Sequence, residues 1–263
     1  MALLGEVAAY FNGFSKLDLK ERLDRLVRMG ALTPDDVRFL NSGGIGSIDL
    51  AEKFIENVIG YFQLPLGIAT NFRIDGKDYV IPMAVEETSI IAAASKTARW
   101  IRENGEISTQ SIGNLIIGQI QISHVQNFEN LKNVVEMNKL FLIDRANENV
   151  AKGLVQRGGG VSDISLRRVP RGDGGEMAIV HVLMDPCDSM GANIMNQVCE
   201  YLKGPIQELS DEVVNLCILS NLVDTRLTQA QVLLKGIGAG QGRAIEEASL
   251  FAQQDPYRAA TNN

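Results

Sequence analysis

The sequence predicts an α+β protein: mixed helix and sheet, with a split βαβ (ferredoxin-like) segment in its second half. Three observations predict it. Apolar residues recur at helical spacing in some stretches and at strand spacing in others. From Leu115 to Leu219 the order of these stretches reads β-α-β-β-α-β. Finally, 263 residues with 45% hydrophobic content can bury a core and could hold one large or two ordinary domains.

Leu3 to Met29 is amphipathic, with Leu17, Leu23, Leu26 and Val27 set against Lys20, Arg22, Asp24 and Arg25. Thr33-Pro34-Asp35-Asp36 is a helix start: Thr33 as cap, Pro34 at the first helical position and acids in the first turn. Asn41-Ser42-Gly43-Gly44 ends that helix, and a third is expected from about Ile48 to Gly60. The apolar stretches on either side of Asp75-Gly76 predict a hairpin. Ile90 to Trp100, rich in alanine, reads as a buried helix.

Ser108 to Asn114 is polar and reads as a domain boundary. Beyond it come a strand from Leu115 to Val125, a long helix from Leu131 to about Val155, and a turn at Gly158-Gly159-Gly160. A strand from Ile164 to Val169 and the turn Arg171 to Gly175 follow, then a strand from Met177 to Met184. The segment closes with a helix from Met190 to Leu202 and a strand from Val213 to Leu219. Leu227 to Leu234 fits strand or helix, the glycine row Gly236 to Gly242 fits a flexible connector, and Ala244 to Gln253 is helical.

A net charge of −7 disfavours nonspecific binding to nucleic acid or anionic membrane. The three cysteines, Cys187, Cys199 and Cys217, have no C-x-x-C spacing, so neither a disulfide framework nor a metal site is expected, and a reducing cytoplasm fits best. His124 and His181 lie in apolar strand-like runs and read as structural. No apolar run reaches the roughly 18 residues that span a bilayer, and no leader is evident.

Two stretches carry chemistry. Asp188-Ser189-Met190-Gly191-Ala192-Asn193 joins a strand to a helix. Asp188 and Ser189 read as N-caps, and the almost bare first turn would let free N–H groups meet an anionic ligand. Plain capping is the other reading, since the glycine spacing is not that of a dinucleotide loop. In Glu86-Glu87-Thr88-Ser89, two carboxylates sit where an apolar strand meets a buried helix. They are either solvated first-turn acids or include one carboxyl kept protonated by burial for use as a general acid. The second reading requires burial to outweigh the helix dipole.

Five motifs occur in order: Glu56 to Gly60, Val85 to Ser95, Asp188 to Asn193, Ile218 to Leu222, and Asp255 to Thr261. Together they resemble the bacterial-type (class II) hydroxymethylglutaryl-CoA reductases over nearly the whole chain. The resemblance implies a large domain for the CoA thioester, residues 1–111 and 220–263, with an inserted ferredoxin-like NAD(P)-binding domain at residues 112–219. It implies a four-electron reduction of hydroxymethylglutaryl-CoA to mevalonate and CoA, or the reverse, within isoprenoid metabolism. Active sites would be shared in a cytoplasmic homodimer or larger assembly, with no metal, nucleic acid or membrane involved. Glu87 matches the catalytic glutamate; Ser89 and Arg258 match substrate-binding positions, Arg258 pairing with the free carboxylate. Asp188, Met190, Gly191, Asn193 and Asn221 match cofactor-binding positions.

The departures are specific. Where relatives carry a CoA-contacting arginine, this chain has Ser15-Lys16, so Lys16 is the expected stand-in. A relative that prefers NAD has an aspartate shortly before the triple glycine. Here that stretch is Asn149-Val150-Ala151-Lys152, where Lys152 or Arg157 would accept a 2′-phosphate, leaving NADH and NADPH both open. The family's catalytic lysine, a later aspartate and a histidine would all follow Asn263. The expectation is therefore an N-terminal portion that does not turn over substrate alone. A non-catalytic nucleotide- or CoA-binding module is the rival reading.

Overall fold

A computed structural model describes residues 10–45 and 47–261. The chain divides into two compact units: unit 1, Met1–Thr109 with Ala230–Asn263, and unit 2, Gln110–Gln229. The expected α+β class holds, with one four-stranded sheet based in each unit.

In unit 1 a 3-10 turn, Phe14–Lys16, precedes α1 (Leu19–Arg28). The expected single amphipathic run is thus interrupted, and its residues 3–9 lie outside the described ones. The break comes from Asp18, which accepts the Glu21 N–H while Glu21 accepts the Asp18 N–H, a complete capping box. Helix α2 (Pro34–Asn41) starts as expected, with Thr33 and Asp36 exchanging the same pair of bonds. The third helix, expected to reach Gly60, is only α3 (Ile48–Ala51). Beyond it Phe54, Ile55 and Ile59 are exposed, so tertiary packing within the described chain does not extend the helix.

Strands β1 (Leu66–Ile74) and β2 (Lys77–Ala84) form the expected hairpin, with Ile74 facing Lys77. Its two-residue loop puts Asp75 at φ 50 and Gly76 at φ 75, the pair of positive values that a type I′ turn requires. Helix α4 (Ile90–Asn104) packs on β1 and buries Ala98 and Ile101. The polar stretch Ser108 to Asn114 contains the division between the units at Thr109/Gln110, and its first part is strand: β3 (Gly105–Ile112), parallel to β1 and also beside β8 (Leu227–Leu234). A Cβ on Gly105 would lie 1.9 Å from the Leu233 carbonyl oxygen, so that backbone approach admits only glycine. The glycine row is not a connector throughout. Gly240 and Gly242 lie inside α9 (Ala239–Gln254; numbering α5 to α8 follows for unit 2), and α10 (Pro256–Ala259) closes the described chain.

Unit 2 has the split βαβ order. Its sheet runs β5-β6-β4-β7, all neighbours antiparallel: β4 (Ile116–Ile122), β5 (Gly160–Pro170), β6 (Glu176–Asp185) and β7 (Leu216–Leu219). The expected long helix is three: α5 (Phe128–Met137), α6 (Lys139–Asn149) and α7 (Lys152–Val155). Asn138 breaks it at φ −103, ψ 9, with its side-chain amide donating to the Val134 carbonyl. Helix α8 (Ala192–Ser210) completes the layer. Ile120, Ile122, Val180, Val182 and Met184 meet Leu131, Leu142, Met195, Val198 and Leu202 in one buried cluster. His181 alternates out of this core, while His124 lies just past β4 and is exposed, not within a strand.

Candidate functional site

The loop between β6 and α8 is where unit 2 concentrates unusual backbone. Asp185 ends β6, and its Oδ1 accepts the Cys187 N–H at 2.8 Å, closing an Asx turn. Its Oδ2 accepts from the side-chain amide of Asn114. Cys187 is held left-handed at φ 53, and the Ser189 hydroxyl donates to the Pro186 carbonyl at 2.8 Å. Gly191 is buried at φ 89 and occupies the N-cap, where it has no side chain to offer α8. This corrects the reading of Asp188 and Ser189 as caps. The left-handed turns carry the chain past both before the helix starts at Ala192. The first N–H groups of α8 therefore have no side-chain cap, which is the arrangement that suits an anion.

The triple glycine lies behind this loop. A Cβ on Gly159 would sit 2.5 Å from the Asp185 carbonyl oxygen and 2.6 Å from Cys187 Sγ. A Cβ on Gly160 would meet Asn147 Oδ1 at 2.7 Å and Val155 at 2.8 Å. Asn147 in turn accepts from the Val161 N–H at 2.8 Å and donates to the Val161 carbonyl at 2.9 Å. The turn after α7 is drawn in as well, with Cys187 Sγ 3.9 Å from the Leu154 carbonyl and 3.8 Å from that of Arg157. Arg157 is exposed on this turn, and Lys152 is exposed at the start of α7. The run of three glycines was visible in the sequence; that it backs the 185–191 loop, and that Asp185, Asn114 and Asn147 hold the arrangement, was not.

Asp188, Met190 and Asn193 are exposed, and Gly191 is walled in by Ile116 and Pro186. Asn221 is exposed just after β7, where the Ser220 N–H donates to the Ile117 carbonyl at 2.8 Å. Arg226, further along, reaches the Ser189 carbonyl at 3.5 Å. His181 lies on the sheet face away from the core, its Nε2 3.0 Å from the Gln119 amide nitrogen and 3.4 Å from Arg167. Burial lowers its pKa and the nearby Arg167 charge adds to the effect, against a smaller opposing pull from Asp224.

In unit 1, Glu87 and Ser89 share the short exposed segment between β2 and α4. Ser89 is left-handed at φ 71 and starts the helix without a side-chain cap bond. Lys16 is exposed at the end of the 3-10 turn. Arg258 is half-buried on α10 and reaches the Thr261 carbonyl at 3.4 Å. Asp255 caps that helix through the Tyr257 N–H.

A profile of the family described as hydroxymethylglutaryl-coenzyme A reductase matches residues 18–263. The chain belongs to this family. It is 44% identical over 254 residues to the 3-hydroxy-3-methylglutaryl-coenzyme A reductase of Archaeoglobus fulgidus, a match over 95% of this chain and 58% of the relative. It is 32% identical to the probable reductase of Borreliella burgdorferi over 82% of this chain and 50% of that one. The chain thus spans somewhat over half the length of the curated relatives it matches. Among solved structures, a Streptococcus pneumoniae reductase superposes with a TM-score of 0.87 at 34% identity, over 95% of this chain and 61% of that chain. A second from that species, described as class II and bound to NADPH in open conformations, gives 0.87 at 33% identity, over 95% of this chain and 69% of that chain. Among the described residues, no helix is long and apolar enough to cross a membrane.

Proposed function

We propose that this chain serves a reductase that moves two hydrides from a nicotinamide dinucleotide to the thioester of hydroxymethylglutaryl-CoA, giving mevalonate and CoA, or runs the reverse. The observation that carries the reading is the glycine-backed 185–191 loop opening an uncapped helix. In this reading residues 112–219 form the dinucleotide platform, and residues 1–111 with 220–263 form the thioester domain. The bound NADPH of the Streptococcus relative supports a nicotinamide dinucleotide as the ligand. Asp188, Met190, Gly191, Asn193 and Asn221 would line the dinucleotide. The exposed Arg157, on a turn in contact with that loop, and the exposed Lys152, at the start of the short helix before it, favour NADPH over NADH, because a cation there answers a 2′-phosphate.

Hydride arrival builds negative charge on the carbonyl oxygen, and a carboxyl group must then supply a proton away from bulk water. Glu87 is our acid. It is exposed in unit 1, so its desolvation must come from the bound thioester or from a second subunit. Ser89 and Lys16 would hold the substrate, and Arg258 would pair with its free carboxylate. The exposed apolar side chains of Phe54, Ile55, Ile59 and Phe62 supply a surface for a homodimer with shared sites. Three free thiols, Cys199 fully buried, fit a reducing cytoplasm.

Calorimetry of the chain with NADPH, NADH and CoA tests the reading. Saturable NADPH binding is expected, and no binding of either dinucleotide refutes it. Binding without turnover in the assembled enzyme would instead favour a non-catalytic module.

A further inference from the structure

We propose that Asp185 is a positioning residue for the dinucleotide, acting through the backbone of the 185–191 loop and not by touching the ligand. The proposal rests on the dinucleotide reading above. Asp185 is half-buried, and its two oxygens are spent in different directions. One takes the Cys187 N–H at 2.8 Å, and the other takes the amide of Asn114, which lies 71 residues away in the chain. The first bond fixes Cys187 in a left-handed turn that a non-glycine residue seldom adopts unaided. The second anchors the turn to the segment by which the chain enters unit 2. That segment is itself immobilised: the Thr225 hydroxyl donates to the Leu115 carbonyl at 2.7 Å, and a Cβ on Gly113 would lie 2.2 Å from the Thr225 carbonyl oxygen.

The consequence reaches the helix. Pro186, next to Asp185, forms one wall against Gly191, with Ile116 the other. A turn held at Cys187 therefore fixes where Asp188 to Met190 run and how the first N–H groups of α8 are aimed. Removing the Asp185 carboxylate leaves the sheet and core residues in place but frees the aim of those donors, and an anion site is sensitive to aim.

The test compares Asp185→Ala, Asp185→Asn and Asn114→Ala in the full chain, using dinucleotide binding by calorimetry and amide exchange at Cys187. Asp185→Ala is expected to weaken NADPH binding by on the order of tenfold and to speed exchange at Cys187, with CoA affinity unchanged. Asp185→Asn should recover most of the affinity. Its amide oxygen still accepts from Cys187, and Asn114 can turn its own amide to accept from the new one. Asn114→Ala should fall between. Equal NADPH affinity in wild type and Asp185→Ala overturns the proposal while leaving the dinucleotide reading intact. A wild-type chain that binds no dinucleotide overturns both. If Asp185→Ala does not fold, the Asn114→Ala measurement decides: unchanged NADPH affinity there refutes the anchor.

Discussion

Replacing Gly191 with alanine separates two roles that the proposed dinucleotide site assigns to one residue: close approach of a ligand and close packing of the protein on itself. The structure gives the second a magnitude. At φ 89 an alanine would bear a left-handed cost of roughly 1–2 kcal/mol. Its Cβ would also lie 2.5 Å from Ile116 Cδ1 and 2.7 Å from Pro186 Cβ. The isoleucine tip can move but the proline ring cannot, so overpacking adds about 1–3 kcal/mol. Loss of unfolded-state freedom returns about 0.4–1 kcal/mol, leaving a net destabilisation of about 2–4 kcal/mol. For a chain of this size that lowers the unfolding midpoint by roughly 5–15 °C. Thermal unfolding by far-UV circular dichroism reads the change. The single tryptophan, Trp100, lies in unit 1, so its fluorescence reports the other unit. The control is Gly242→Ala inside α9, where a Cβ meets nothing within 4 Å and no proline follows; it should raise stability by about 0.5–1 kcal/mol. A Gly191→Ala protein that melts within a degree or two of wild type would refute the packing argument.

In the assembled enzyme, Glu87→Gln should abolish turnover with NADPH affinity intact, and unchanged turnover would exclude the acid role. Lys152→Glu should weaken NADPH binding by on the order of tenfold and leave NADH nearly untouched; an equal loss for both removes the 2′-phosphate assignment. His181 gives a pH signature. Its folded pKa is lowered, so above the unfolded value near 6.5 the fold gains its full contribution, which is lost as pH falls toward the folded pKa. Urea midpoints across that window should therefore fall with acidification, and His181→Gln should flatten the slope; an unaltered slope assigns the effect elsewhere.

Features that depend on neighbours in sequence were legible. The hairpin at Asp75-Gly76, the Thr33 cap and the order of elements in unit 2 all come from local periods and turn chemistry. What was lost depended on remote partners. Nothing near Leu131 to Val155 announces two breaks, because the apolar pattern continues through Asn138 while the side chain takes a carbonyl one turn back. The stretch from Ser108 was legible as a boundary but not as strand, which forms at Gly105–Ile112 because β1 and β8 flank it. In the candidate site, Asp188, Met190, Gly191 and Asn193 stand in one linear motif, so their nearness is plain from the sequence. That of Asp185 and Asn114 is not, since their link spans 71 residues. The cap assignment failed because a helix start is set by backbone turns, and here those turns are fixed from outside the motif.

The two units differ in how they are held, and this bears on the chemistry proposed for each. Unit 2 closes one face of its sheet with α5, α6 and α8 in a continuous buried cluster, so the loop proposed to meet the dinucleotide stands on a packed support. In unit 1, β8, α9 and α10 contribute no buried residue, and Ile245, Leu250 and Phe251 of α9 remain exposed. A sixteen-residue helix with glycines at 240 and 242 is marginal on propensity alone, so apolar cover is what would hold it. The proposed subunit association would supply such cover on the unit that carries Glu87 and Arg258. On that view the dinucleotide side of the reaction is preorganised within one chain, whereas the thioester side gains both its stability and the dryness its acid needs from assembly.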